Sequence, residues 1–130
     1  MNQVQKLSDA EMEVMEVIWE CTPPVTSTEL SRLFAQRGSE WKRQTISTFL
    51  SRLVNKGALS ATKHGRMNKY VPCISPEDYK IMETKGVLDE LYQGSVKNLL
   101  SALYDGDKLS NQDITELKKW LSEKPEDNQE

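Results

Sequence analysis

WKRQTISTFLSRLVNKGALSATKHGRMNKY, residues 41–70, holds an amphipathic helix followed by a basic hairpin. Ile46, Phe49, Leu50, Leu53 and Val54 recur at helical spacing, so they fall on one side of a 3.6-residue period. The opposite side carries Gln44, Thr48, Ser51, Arg52 and Asn55, with Thr45 beside them. Ordinary solvated helix faces are richer in Glu and Lys pairs. From Trp41 through Ser75 there is no Asp or Glu, yet Lys42, Arg43, Arg52, Lys56, Lys63, Arg66 and Lys69 are all present. A polar, acid-free helix beside a basic hairpin suits entry into a polyanionic groove.

Upstream, Ser8-Asp9-Ala10-Glu11 reads as a capping box, with Leu7 and Met12 as its hydrophobic staple. It opens a first helix over about residues 9–20 with Met12, Met15, Ile18 and Trp19 as its buried stripe. Residues 1–6 are polar and expected to fray. Cys21-Thr22-Pro23-Pro24 ends the helix, because proline lacks an amide donor. Thr26 and Glu29 form a second box, opening a short helix that runs to about Gln36 with Leu30, Leu33 and Phe34 inward. Gly38 and Gly57 stand where helices end. Strand-like pieces at Leu59–Thr62 and Tyr70–Cys73 flank Lys63–Lys69, with His64-Gly65 as the turn. Three helices and a β-hairpin make a winged helix-turn-helix, whose third helix projects for recognition.

Composition changes after Ser75. Ser75-Pro76-Glu77-Asp78 is a helix start. Tyr79, Met82, Val87, Leu88 and Leu91 supply its apolar contacts. Val96, Leu99, Leu100, Leu103 and Tyr104 repeat helical spacing beyond Gly94-Ser95. Ser110 caps a final helix with Asp113 at N3 and Ile114, Leu117, Trp120 and Leu121 inward. The expected fold is mainly α: a winged-helix DNA-binding domain at 1–75, a helical dimerisation domain at 76–124 and a disordered tail at 125–130. Some 50 residues of short helices bury few leucines alone, so packing against a second copy is expected. Val87, Leu88, Leu91, Leu99, Leu100, Leu103, Leu117 and Leu121 are the candidate dimer contacts.

The 130 residues carry a net charge of −3, which hides +3 over residues 1–75 and −6 over 76–130. The basic part points to nucleic acid and the acidic part to another task. Mean hydropathy is −0.64. No apolar run approaches the ~18–20 residues that span a bilayer, and no signal peptide is evident, so a cytoplasmic location is expected. Cys21 and Cys73 form no metal or disulfide pattern and read as small, partly buried residues. His64 reads as a wing residue. Without a nucleophile–base pair, Gly-rich phosphate loop or metal spacing, neither an enzyme nor a cofactor is expected.

LSDAEMEVMEVIWE, WKRQTISTFLSRLVNKGAL and LSNQDITELKKWL, in this order and spacing, resemble the penicillinase-repressor (BlaI/MecI) family of winged-helix repressors, which also includes copper-operon repressors. The resemblance spans about Leu7 to Leu121. It implies a homodimeric repressor of β-lactam resistance or a related stress response, bound to an inverted repeat with TACA and TGTA half-sites. The family's base and phosphate contacts fall on Gln44, Thr45, Thr48 and Arg52. With Lys42, Arg43, Lys63, Arg66 and Lys69 these complete the candidate DNA-binding set. Arg52 suits a bidentate contact with guanine, the threonines suit thymine methyls or phosphates, and the wing cations suit phosphates or the minor groove.

Two departures stand out. Lys42 occupies a position where family members often carry serine, which weakens that N-cap. The cysteine-rich motif of the copper branch is absent after Cys73, so metal sensing is not expected. The β-lactam branch implies a sensor-linked protease that cuts an Asn-Phe bond. By position that bond falls at Ala102–Leu103, whose residues do not match, and Asn98–Leu99 lies nearby. A second class of function is a protein-interaction adaptor, since winged helices also serve that role.

Overall fold

Helix α1 (Asp9–Glu20) starts where the Glu11 amide donates to Ser8 Oγ at 3.2 Å and the Ser8 amide donates to Glu11 Oε1 at 2.9 Å. The computed structural model describes residues 4–126. Its buried side chains on α1 are Glu11, Val14, Met15, Val17 and Ile18, whereas Met12 and Trp19 are half-buried. The stripe is thus broader than the one read from spacing, because α1 is covered on more than one side. It packs against α3 (Arg43–Asn55), and Trp19 Nε1 donates to the Ile74 carbonyl at 2.9 Å.

The chain leaves α1 extended and forms a two-residue strand, β1 (Val25–Thr26), which spacing alone did not indicate. Thr26 then caps α2 (Ser27–Gln36) through a closed box with Glu29. A Schellman motif ends α2, with Gly38 at φ +82°, its amide on the Ala35 carbonyl and the Ser39 amide on the Phe34 carbonyl. The same motif ends α3 at Gly57, φ +86°. From α3, Ile46, Leu50 and Leu53 enter the core beside Leu30, Phe34 and the α1 side chains.

The hairpin is longer and tighter than its sequence suggested. Strands β2 (Leu59–His64) and β3 (Met67–Pro72) pair antiparallel from Leu59↔Pro72 to His64↔Met67. Gly65-Arg66 is the turn, and only Gly65 has positive φ, the type II′ pattern. β1 joins the other edge of β3 through Val25↔Tyr70 and Thr26↔Lys69, giving the order β1-β3-β2. The result is the expected winged helix-turn-helix, with one added strand.

Residues 4–6 do not fray. Val4 packs on the core, and the Gln5 amide donates to the Lys56 carbonyl at 2.9 Å. Cys21 is half-buried, but Cys73, expected partly buried, is exposed just after β3.

Helix α4 (Pro76–Tyr92) starts at Ser75, whose Oγ accepts the Asp78 amide at 3.0 Å. The chain divides into two compact units inside α4, at Glu83 and Thr84. Tyr79 belongs to the first unit, where its hydroxyl accepts the Leu7 amide at 2.9 Å. The second unit holds the end of α4, α5 (Val96–Asp105) and α6 (Asn111–Ser122). Ser95 caps α5, and Ser110 with Asp113 closes a box at α6. Asp107, at φ +60°, takes the left-handed position after α5. Of the expected tail, residues 127–130 lie outside the described residues, as do residues 1–3.

Candidate nucleic-acid interface

Helix α3 presents Gln44, Thr48, Ser51, Arg52 and Asn55 to solvent, with Thr45 half-buried. Thr48 Oγ1 donates to the Gln44 carbonyl at 3.0 Å. Its proton is therefore used within the helix, leaving a methyl group and an acceptor oxygen facing outward. That favours a thymine methyl or a base amino group over a phosphate, which needs a donor. The Arg52 guanidinium stands 5.9 Å from the Phe49 ring centroid. Phe49 is 5.0 Å from Trp41, and Trp41 is 5.4 Å from Phe34. This aromatic run packs the α2–α3 loop, through Trp41, against both helices next to Arg52. Its role depends on tertiary packing and left no periodic trace in the sequence.

The N-terminus of α3 is built differently from those of α1, α2 and α6. Lys42 is the N-cap and makes no side-chain cap bond, and no acid lies in the first turn. Lys42 and Arg43 thus sit at the positive end of a helix whose first amides have no side-chain acceptor. For the isolated fold this placement is unfavourable; beside an anion it becomes favourable.

The cations of the 41–70 stretch do not form one patch. Arg43 and Arg66 line a trough of about 230 Å³ between α2, α3 and the wing, together with Thr28, Ser47, Ser51 and Asn68. No carboxylate is among its lining residues. Lys63 pairs across the hairpin with Asn68, so the two share the sheet face of Tyr70. Lys69 points to the other face, where it lines a shallow groove with Pro23, Pro24, His64 and Val71. Lys56, a cation of this stretch outside the candidate set, is occupied elsewhere: its Nζ lies 2.6 Å from Glu11 Oε1 and 3.1 Å from the Lys6 carbonyl. Thr28, Ser47 and Asn68 carry no charge and come from separate elements, so nothing in their local sequence marked them.

In the second unit, Val87, Leu91, Leu103 and Leu121 are exposed, and Leu88, Leu99, Leu100 and Leu117 are half-buried. No residue of α5 or α6 is buried. Leu91 keeps 67% of its surface and Leu121 57%, unusual for leucines on helical apolar stripes. Ala102–Leu103 and Asn98–Leu99 both lie within α5, whereas proteolytic nicking favours exposed loop tips. Among the described residues there is no group of three or more His, Cys, Asp or Glu placed to hold a metal ion. None of the described helices is long and apolar enough to cross a membrane.

The family model for the penicillinase repressor matches residues 7–123. The penicillinase repressor of Bacillus licheniformis is 36% identical over 123 residues, covering 95% of this chain and 94% of that one. The methicillin resistance regulatory protein MecI of Mammaliicoccus sciuri is 28% identical, covering 95% and 98%. The penicillinase repressor of Staphylococcus aureus is 30% identical, covering 94% and 95%. Among solved structures, the DNA binding domain of the repressor BlaI is similar at TM-score 0.53 and 40% identity, covering 61% of this chain and 94% of that one.

Proposed function

This chain belongs to the penicillinase repressor family, and from that premise we propose that it is a DNA-binding transcriptional repressor acting as a homodimer on an inverted-repeat operator. It works by occupancy, without catalysis, in the cytoplasm. The observation that carries the reading is the acid-free face of α3, with an uncapped, cationic N-terminus and a carboxylate-free trough beside it. Gln44, Thr48 and Arg52 read base edges in the major groove, and the wing meets the flanking backbone. The exposed leucines of the second unit support self-association, which would place two copies of α3 on one duplex. The regulated genes belong to β-lactam resistance or a related stress response, and a sensor-linked protease is the proposed upstream partner. Ala102–Leu103 is its proposed cleavage position, though it lies within a helix.

Fluorescence anisotropy on a TACA/TGTA palindrome and on its scramble, across several salt concentrations, tests this reading. Tight, salt-sensitive binding to the palindrome at two chains per duplex is expected. Equal, weak binding to both duplexes would overturn it in favour of a protein-interaction adaptor.

A further inference from the structure

Arg43 does not share the reading face of α3. It precedes Arg52 by nine residues, about two and a half turns, so the two point to roughly opposite sides of the helix. Its Nη2 donates instead to Thr28 Oγ1 at 2.8 Å, across to the first turn of α2. Arg43 makes no ion pair among the described residues.

The choice of acceptor has a consequence for charge. A carboxylate at position 28 would hold the guanidinium and also neutralise it. A hydroxyl holds it and leaves the full charge available. One N–H of the guanidinium's five is used on Thr28, and the remainder can serve a second acceptor. The trough around this pair is lined by Ser47, Ser51, Asn68 and Arg66, and by no acid. Hydroxyl donors and two guanidinium groups with no competing carboxylate suit a phosphate oxygen better than a base edge.

We infer that Thr28 is a positioning residue whose hydroxyl aims Arg43 at a backbone phosphate lying in the trough between α3 and the wing. The inference rests on the DNA-binding reading above. It assigns Arg43 to register on the duplex and leaves sequence readout to Gln44, Thr48 and Arg52.

The test uses the full chain on the palindrome and on its scramble, with salt titrations, after circular dichroism and thermal unfolding have established the fold of each variant. Thr28→Val keeps the shape and removes the acceptor. It is expected to weaken binding to both duplexes alike, roughly three- to tenfold, and to make the salt slope shallower by up to about one unit. Thr28→Ser is expected to restore both. In an Arg43→Ala background, Thr28→Val is expected to have no further effect. Additive losses, an unchanged slope or unchanged affinity in Thr28→Val would overturn the inference. Should Thr28→Val fail to fold, Thr28→Ala carries the test: it removes the same acceptor at an exposed helix position, and wild-type affinity and slope in that variant would overturn the inference. Failure of the DNA reading itself is separate, because the wild-type chain would then show no preference for the palindrome.

Discussion

Lys56 Nζ lies 2.6 Å from Glu11 Oε1, joining the end of α3 to the start of α1 across 45 residues. The Glu11 side chain is only 3% exposed, and the same oxygen accepts the Ser8 amide. One carboxylate thus closes the α1 capping box and anchors α3, the helix proposed to carry the reading face.

That anchor makes the fold acid-sensitive. Burial pushes the Glu11 carboxyl up, but hydrogen bonds from Lys56 and the Ser8 amide, with the Lys56 charge, outweigh it and hold the group below its ordinary 4.5. A depressed carboxyl contributes stability above its unfolded-state value, and loses it as pH falls through the folded-state value. Glu11→Gln is expected to lose roughly 1.5–3 kcal/mol at neutral pH, the scale of a hydrogen bond to a charged group. Its Tm should also vary less than the wild type's between about pH 5 and about pH 3. Thermal unfolding across that range checks this, and parallel curves would remove Glu11 as the acid-sensitive anchor.

The sides of the wing sort its cations. Arg66→Ala and Lys63→Ala are expected to weaken palindrome and scramble alike, each flattening the salt slope by about one unit. Lys69→Ala, on the opposite sheet face, should change the slope less. Arg52→Ala should instead lose roughly 1–3 kcal/mol on the palindrome and relax preference at one base position. Anisotropy on a set of single-base variants distinguishes these patterns. Unchanged palindrome binding in Arg52→Ala would place the reading face elsewhere.

The helix starts of this chain were legible because a capping box is local: Ser8 with Glu11, Thr26 with Glu29, and Ser110 with Asp113 each act over three residues. β1 was not, since two residues show no alternation and pair only once β3 is in place. Val14 and Val17 are buried outside the single stripe that spacing predicts, because one stripe assumes one covered side and α1 has more. At the site, the chemical character of the cations could be read from the sequence, but their grouping could not. Lys56 is withdrawn by Glu11, Arg43 is redirected by Thr28, and Lys63 and Lys69 part company through strand register. Each depends on a partner distant in the chain or on the face of a strand.

The open N-cap of α3 sets stability against binding. Lys42→Ser supplies the missing acceptor and removes a cation from the positive helix end. The fold is expected to gain about 1 kcal/mol, while affinity for every duplex falls and the salt slope flattens by about one unit. Thermal unfolding and salt titration of the same variant check both. A stabilised variant with unchanged slope would show that Lys42 does not meet the phosphate backbone.

Self-association can be probed where the protomer has least to lose. Leu91 is 67% exposed, so an aspartate there meets solvent in a single chain and should leave the protomer folded. In a helical dimer the same charge would be buried without a partner, which is strongly unfavourable. Leu91→Asp is therefore expected to sediment as a monomer with wild-type circular dichroism. It should bind a single half-site normally yet lose the added affinity of the full palindrome, because two linked copies gain from a shared duplex. A dimer that survives the substitution would move the interface away from Leu91, toward other exposed leucines such as Leu103 or Leu121.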